Sequence, residues 1–264
     1  MTTMTEANIR LGAILAEAEN KQSSLSVAKL ESSGLVPDTL ETGMAAQAIA
    51  TAAIGKAVGG WKITSNSGRV VAAPLLDVYD TDTPTALEVP KPGCVGVEIE
   101  LCFVLANDIP PPAPGQEYSR EDIVSHVASV HLGAELASYR LIEENKAPFP
   151  LFLADRLGNH SFVLGPKIER DLIARVANED ATLPVLVLEG DETVLFAAQP
   201  KHPQGDALAP LLAYANRPLD HLGGLRRGQV VTTGSICGLL RLSGQRSIRA
   251  AWGDIAELAI SLPA

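Results

Sequence analysis

Val95-Gly96-Val97-Glu98-Ile99-Glu100-Leu101-Cys102-Phe103-Val104-Leu105 is the stretch from which the fold of this chain is read. Val97, Ile99, Leu101 and Phe103 hold the odd positions. Successive side chains of a strand point to opposite faces, so Glu98 and Glu100 share the even face. Cys102 and Val104 continue that face, and neither is a typical solvent-facing residue, which predicts that the acidic pair sits in the mouth of a cleft. Two acids held together in partial burial need a cation, and hard ions such as Mg²⁺, Mn²⁺ or Ca²⁺ take oxygen ligands. Alternating acids are also the ordinary pattern of an exposed strand face, so this pair alone leaves both readings open.

The surrounding composition is that of a globular protein with an aliphatic core. The chain has 264 residues, 46% hydrophobic and only 4% aromatic, enough for one large domain or a small domain beside a larger one. A net charge of −10 and Arg226-Arg227 as the one short basic run exclude a nucleic-acid surface. No apolar run approaches the roughly 18 residues that suggest a membrane span, and the first twenty residues read as an amphipathic helix and not as a signal peptide, so a cytoplasmic location is expected. Cys94, Cys102 and Cys237 have no metal-type spacing and are expected as small buried residues, neither a disulfide framework nor a thiolate zinc site. No HxH or HExxH spacing, Ser-His-Asp arrangement or phosphate loop is present. Of the histidines, His160, close to Asp155 and Arg156, is the candidate for acid-base work.

The pattern along the chain predicts helices first and strands afterwards. A helix is expected from Glu6 to Glu19, then a loop or weak helix. A second helix runs to Lys56, opened by a capping box between Asp38 and Glu41 and closed by Gly59-Gly60. Acids and prolines between Asp77 and Gly93 suggest a domain boundary near residue 85. Ser119 and Asp122 open a helix that carries Ile123, Val124, Val127 and Val130 inward, and a segment from Gly133 to Ile142 holds Glu135. Strands are expected at 161–164, 185–188 and 193–196 as a hairpin, and near 229–233, 238–242, 247–252 and 257–262, with a helix at 206–215. The fold class is therefore α+β (mixed): a small helical or mixed domain over residues 1–85 and a larger, β-rich, mostly antiparallel domain over 86–264.

The stretch from Glu98 to Leu105, followed by Asn107-Asp108-Ile109-Pro110, resembles the metal-binding strand of the fumarylacetoacetate hydrolase superfamily, in the branch of 2-hydroxypentadienoate hydratases and oxalocrotonate decarboxylases. Other segments fall in the same order: Gly59-Gly60-Trp61-Lys62, Ala134-Glu135-Leu136 with Arg140, Ala154-Asp155, Gly205-Asp206-Ala207-Leu208 and Thr232-Thr233-Gly234-Ser235. The likeness runs from about residue 35 to the C-terminus. It implies a fumarylacetoacetate hydrolase-like fold and a Mg²⁺ or Mn²⁺ ion held by Glu98, Glu100 and Glu135. It also implies catalytic roles for Lys62 and Asp155, and substrate contacts from Thr233 and Gly234.

The sequence also departs from that pattern. The acid expected after the lysine aligns with Val71, leaving Asp77 either as a catalytic substitute or as a solvated loop acid. Where the branch often has Asp-Asn, the chain reads Asp155-Arg156, and Arg156 is either a bidentate anchor for a second substrate carboxylate or a surface residue. Lys62 has the alternative of a packing lysine beside Trp61. The implied activity is that of a metal-dependent hydro-lyase adding water to a 2-hydroxy-dienoate or 2-oxo-enoate in aromatic-compound catabolism. Its alternatives are a decarboxylase of an oxalocrotonate-like acid, a C–C hydrolase of an acylpyruvate, and a metal-binding partner subunit without activity. The implied partners are a small 2-oxo or 2-hydroxy acid and copies of the chain in a homo-oligomer, or a related decarboxylase or hydratase.

Overall fold

The computed structural model describes residues 5–66, 68–81, 87–89, 94–178, 180–218 and 222–262. The chain opens with α1 (Glu6–Lys21), α2 (Val27–Ser32) and α3 (Leu40–Ile54), then β1 (Gly60–Asn66), β2 (Arg69–Leu75), β3 (Asp77–Asp80) and β4 (Leu87–Glu88). The middle holds β5 (Gly96–Leu105), α4 (Arg120–Ser125), β6 (Val127–Ala137), α5 (Phe149–Ala154), β7 (Asn159–Ile168) and α6 (Leu172–Ala177). The last third holds β8 (Leu186–Gly190), β9 (Thr193–Ala198), α7 (Ala209–Asn216), β10 (Val230–Ser235), β11 (Leu240–Arg241), β12 (Ser247–Trp252) and β13 (Ala256–Ser261). This is the α+β class expected.

Two sheets face each other. An eight-stranded sheet runs β2-β1-β10-β5-β6-β7-β3, with β11 added to β5, and a five-stranded sheet runs β4-β13-β12-β8-β9. The odd residues of β5 (Val97, Ile99, Leu101, Phe103) and Leu132, Ala134 and Leu136 of β6 are buried in one core with Leu186, Leu188, Ile248, Ala250, Trp252, Leu258 and Ile260 of the smaller sheet. The opposite face of the larger sheet is covered in part by helices: Val71 and Ala73 of β2 pack with Met44 of α3 and with Leu153 and Leu157 at the end of α5. The molecule thus has three layers, and the acids of β5 face the helical one.

Several sequence expectations change. The helix opened by the Ser119–Asp122 capping box ends at Ser125, and Val127 and Val130 belong to strand β6, which carries Glu135. Apolar residues three apart fit a helix, but pairing with β5 over ten residues outweighs a six-residue helix's local preference. The cap of α3 is Thr39 with Thr42, one residue later than Asp38 with Glu41. The boundary near residue 85 falls on residues outside the described set, yet β1, β2 and β3 before it share one sheet with β5, β6, β7 and β10 after it. The sheets are mostly antiparallel, as expected, with parallel pairing of β1 with β10, β3 with β7 and β4 with β13. The hairpin expected at 185–196 is β8–β9, turning at Asp191 and Glu192, both with positive φ. Cys102 is buried, whereas Cys94 and Cys237 are half-buried, and all three are free thiols.

α5 is held by α3 at two points. Gln47 Nε2 donates to Leu153 O at 2.6 Å, and a Cβ on Gly43 would lie 2.2 Å from Pro150 O. Only glycine permits that approach, so Gly43→Ala is expected to push α5 outward and to cost about 1–3 kcal/mol by denaturant unfolding. A stability equal to that of the parent would refute this close packing.

Candidate metal centre and cleft

Strand alternation and register bring five side chains of four adjacent strands to one place. Lys62 of β1 pairs Thr232 of β10, Thr232 pairs Cys102 of β5, and Ser235 pairs Glu100. Glu98 of β5 lies directly opposite Glu135 of β6. Like charges so placed on an antiparallel pair repel, and burial strengthens the repulsion. Glu100 and Glu135 are fully buried, while Glu98 is half-buried. Lys62 answers part of this charge, its Nζ lying 2.8 Å from Glu135 Oε1 and 3.2 Å from Glu98 Oε2.

One carboxyl is oriented by its neighbours. Glu100 Oε2 accepts from Thr232 Oγ1 and, at 2.9 Å, from Gly234 N. The second bond depends on the irregularity between Thr232 and Ser235, where Gly234 adopts φ +137°, a region suited to glycine. The other oxygen, Glu100 Oε1, and Glu135 Oε2 are buried with no hydrogen-bond partner. Carboxylate oxygens of Glu98, Glu100 and Glu135 lie within 4.8 Å of one another. Unsatisfied buried acceptors beside clustered acids fit a hard divalent cation, and these three residues would hold it.

The charges shift one another. Burial, then the nearby Glu135 and Glu98, push Glu100 up to about 8. Burial also raises Glu135, against the opposing pull of Lys62. For Lys62 burial works downward, but Glu135, Glu98 and Glu100 outweigh it and hold the ammonium above its ordinary value.

A cleft of about 370 Å³ opens over this group. It is lined by Lys62, Thr64, Glu98, Glu100, Gly234 and Ser235 from the strands, and by Tyr139, Asn145, Phe149, Phe152, Leu157 and Leu239 from α5 and the connecting segments. Tyr139 and Phe152 have centroids 6.2 Å apart, and Phe149 meets Phe152 edge-on at 6.3 Å. These aromatic residues, and Thr232 behind Glu100, were not legible as site residues.

Other expected site residues lie elsewhere. Asp77, in β3, accepts two bonds from Lys56 at 2.7 and 2.8 Å and does not line the cleft. Val71, at the position of the missing acid, is buried against Met44 and Leu157. Asp155 is 2% exposed and holds Arg140 through its carboxylate, including the Arg140 N–H at 3.1 Å. Arg156 is 3% exposed, with Nη2 3.1 Å from Glu19 Oε1, while Arg140 Nη1 is 3.0 Å from Glu19 Oε2. Two buried arginines, buried Asp155 and half-buried Glu19 thus form a set that ties α1 to the sheet, and Arg156 is buried and does not line the cleft. Thr233 is buried and donates to Ala207 O at 2.6 Å, leaving Gly234 as the member of that pair in the cleft. His160 is half-buried in β7 and does not line it.

No protein-family model and no curated protein matches the sequence. Solved structures do match. A 4-oxalocrotonate decarboxylase from Pseudomonas putida G7, in complex with magnesium and adipate, aligns over 100% of both chains with TM-score 0.72 at 15% identity. The same enzyme with calcium and acetate gives TM-score 0.71 at 15% identity over 100% of both chains. A fumarylpyruvate hydrolase from Pseudomonas aeruginosa, in complex with Mn²⁺ and pyruvate, aligns over 76% of this chain and 88% of its own, with TM-score 0.51 at 16% identity.

The acid cluster makes metal binding depend on pH. A carboxyl whose value is raised by folding binds its proton more tightly in the folded state, so the metal-free protein loses stability as pH rises from the ordinary 4.5 to about 8. A divalent ion that replaces those protons gains over the same range, so Mg²⁺ or Mn²⁺ should raise Tm more at about pH 8 than at about pH 5.5. Glu135→Gln should remove most of that gain, and equal gains at both pH values would count against the cluster. Asp77→Asn, in a partly exposed ion pair, should cost less than about 1 kcal/mol by thermal unfolding.

Proposed function

We propose that this chain, which has the fold of the fumarylacetoacetate hydrolase superfamily, is a divalent-metal-dependent hydro-lyase adding water to a 2-hydroxy-dienoate or 2-oxo-enoate. The observation that carries this reading is the juxtaposition of Glu98, Glu100 and Glu135 with the Lys62 ammonium beside a cleft. Mg²⁺ or Mn²⁺ is the ion assigned, and Glu98, Glu100 and Glu135 would hold it. Magnesium, calcium and manganese in the neighbouring structures support that choice. When bound, the ion supplies a Lewis acid that withdraws electrons from the carboxylate and C2 oxygen of a 2-oxo acid.

The protein's own groups then have defined parts. Thr232 and the Gly234 N–H fix the direction of Glu100. Lys62 Nζ sets a positive charge where the C2 oxygen gains negative charge as the dienol and its conjugated ketone interconvert, and it can pass a proton there. Water adds at the far carbon of the ketone, giving a 4-hydroxy-2-oxo acid. Besides Lys62 and the acids, Tyr139 is the ionisable side chain lining the cleft among the described residues, and burial keeps its phenol protonated and able to donate.

A second reading is decarboxylation of an oxalocrotonate-like acid, which uses the same electron sink. The end-to-end likeness to a 4-oxalocrotonate decarboxylase favours it. Assembly into a homo-oligomer, or with a related decarboxylase or hydratase, belongs to the same proposal.

The test offers 2-hydroxypentadienoate, oxalocrotonate and an acylpyruvate to the protein with Mg²⁺ or Mn²⁺, following ultraviolet loss, CO₂ and product. Loss of dienol absorbance with formation of the hydroxy-oxo acid is expected. Lys62→Met should lower kcat/KM by about 100-fold or more while the metal-dependent thermal shift persists. Metal binding with no turnover of any of the three would replace the enzyme reading with that of a partner subunit.

A further inference from the structure

One wall of the cleft is built of groups that suit carbon and not charge. Tyr139, Phe149 and Phe152 form a continuous aromatic wall, extended by Leu157 and Leu239. Lys62 is the only cation among the described lining residues, and it is engaged by Glu98 and Glu135. The arginines around the cleft are already paired. Arg140 binds Asp155 and Glu19, and Arg156 binds Glu19. Arg241 is engaged by Glu144 and lies over the outer Tyr139 ring, 5.9 Å from its centroid. Asn145 is an amide lining the cleft, and it is exposed.

A carboxylate pressed against this wall would leave water with no unpaired ammonium or guanidinium to receive it, since the nearby Arg241 is engaged by Glu144. A hydrocarbon tail does not carry that cost. The volume, near the small end of the roughly 300–1,000 Å³ usual for ligand clefts, suits a short acid.

We infer that the cleft selects 2-oxo acids with one carboxylate and an apolar tail, and rejects dicarboxylic ones of equal length. This rests on the metal-site reading above, since the 2-oxo acid head must be anchored at the three acids. It sets the preferred substrate apart from oxalocrotonate, whose second carboxylate would meet the rings.

The experiment measures Kd by thermal shift with Mg²⁺ present, for oxalate, pyruvate, 2-oxohexanoate and 2-oxoadipate. Oxalate reports the head alone. The last two share a six-carbon chain and differ in the terminal charge. Expected are metal-dependent stabilisation by oxalate and binding of 2-oxohexanoate about tenfold or more tighter than either pyruvate or 2-oxoadipate. Because an apolar wall can also hasten loss of a carboxylate held against it, kcat/KM is compared for 2-hydroxypentadienoate and 4-oxalocrotonate, and the monocarboxylate should lead. Leu239→Arg, which places a cation on the half-buried rim, should narrow or reverse the preference.

Oxalate binding together with 2-oxoadipate as tight as 2-oxohexanoate would overturn this inference and leave the metal reading standing. So would a kcat/KM for 4-oxalocrotonate equal to or above that of the monocarboxylate. Failure of oxalate to stabilise the metal-loaded protein would remove both readings.

Discussion

The cost of placing three carboxyl groups on one face of a sheet, two of them sealed from water, governs this structure. Glu98 and Glu135 stand opposite each other on neighbouring strands, where like charges disfavour pairing. One lysine offsets only part of that repulsion, and two buried carboxyl oxygens remain without partners. The rest of the sheet must hold the group together against its own charge. It does so by long pairing between β5 and β6, by the buried apolar face shared with the smaller sheet, and by the Thr232 and Gly234 bonds to Glu100.

The helical layer is joined to this sheet differently. α1, α3 and α5 share an apolar core of their own, while the Arg140–Asp155–Arg156–Glu19 set ties them to the strands through charge and hydrogen bonds. Removing one member of such a set strands its partners in a dry interior, which typically costs about 3–5 kcal/mol. The charged strands and the apolar cleft wall are thus separate structures in contact. The acids and Lys62 stand on paired strands, while Phe149, Phe152 and Leu157 of the wall stand on α5 and the turn after it.

Much of this was legible in the sequence where a period of two is strong. The alternation from Val97 to Phe103 placed Glu98 and Glu100 on one face, and the β8–β9 hairpin followed from its turn residues. Glu135 was harder to place, because Val124, Val127 and Val130 repeat at a helical spacing across what is really the end of α4 and the start of β6. Only the family resemblance connected it with Glu98. Lys62 and Glu135 are 73 residues apart in the chain, and no local pattern registers such a contact. Asp77, Asp155 and Arg156, taken from the resemblance or from positions beside its segments, are each engaged by a charge away from the cleft. Tyr139, Phe149 and Phe152 come from a proline-bearing stretch without periodicity, so their meeting is a tertiary event.

The turn from Arg156 to Gly158 gives α1 an influence at a distance. Arg156, Leu157 and Gly158 have φ of 52°, 54° and 71°, a run of left-handed residues that costs free energy wherever a side chain is present. Its first residue is gripped by Glu19 at the far end of α1, and its second reaches the cleft. A helix formed from the first residues of the chain therefore acts as a brace on one jaw of the opening, so changes far from the acids could alter the gape without touching the ion.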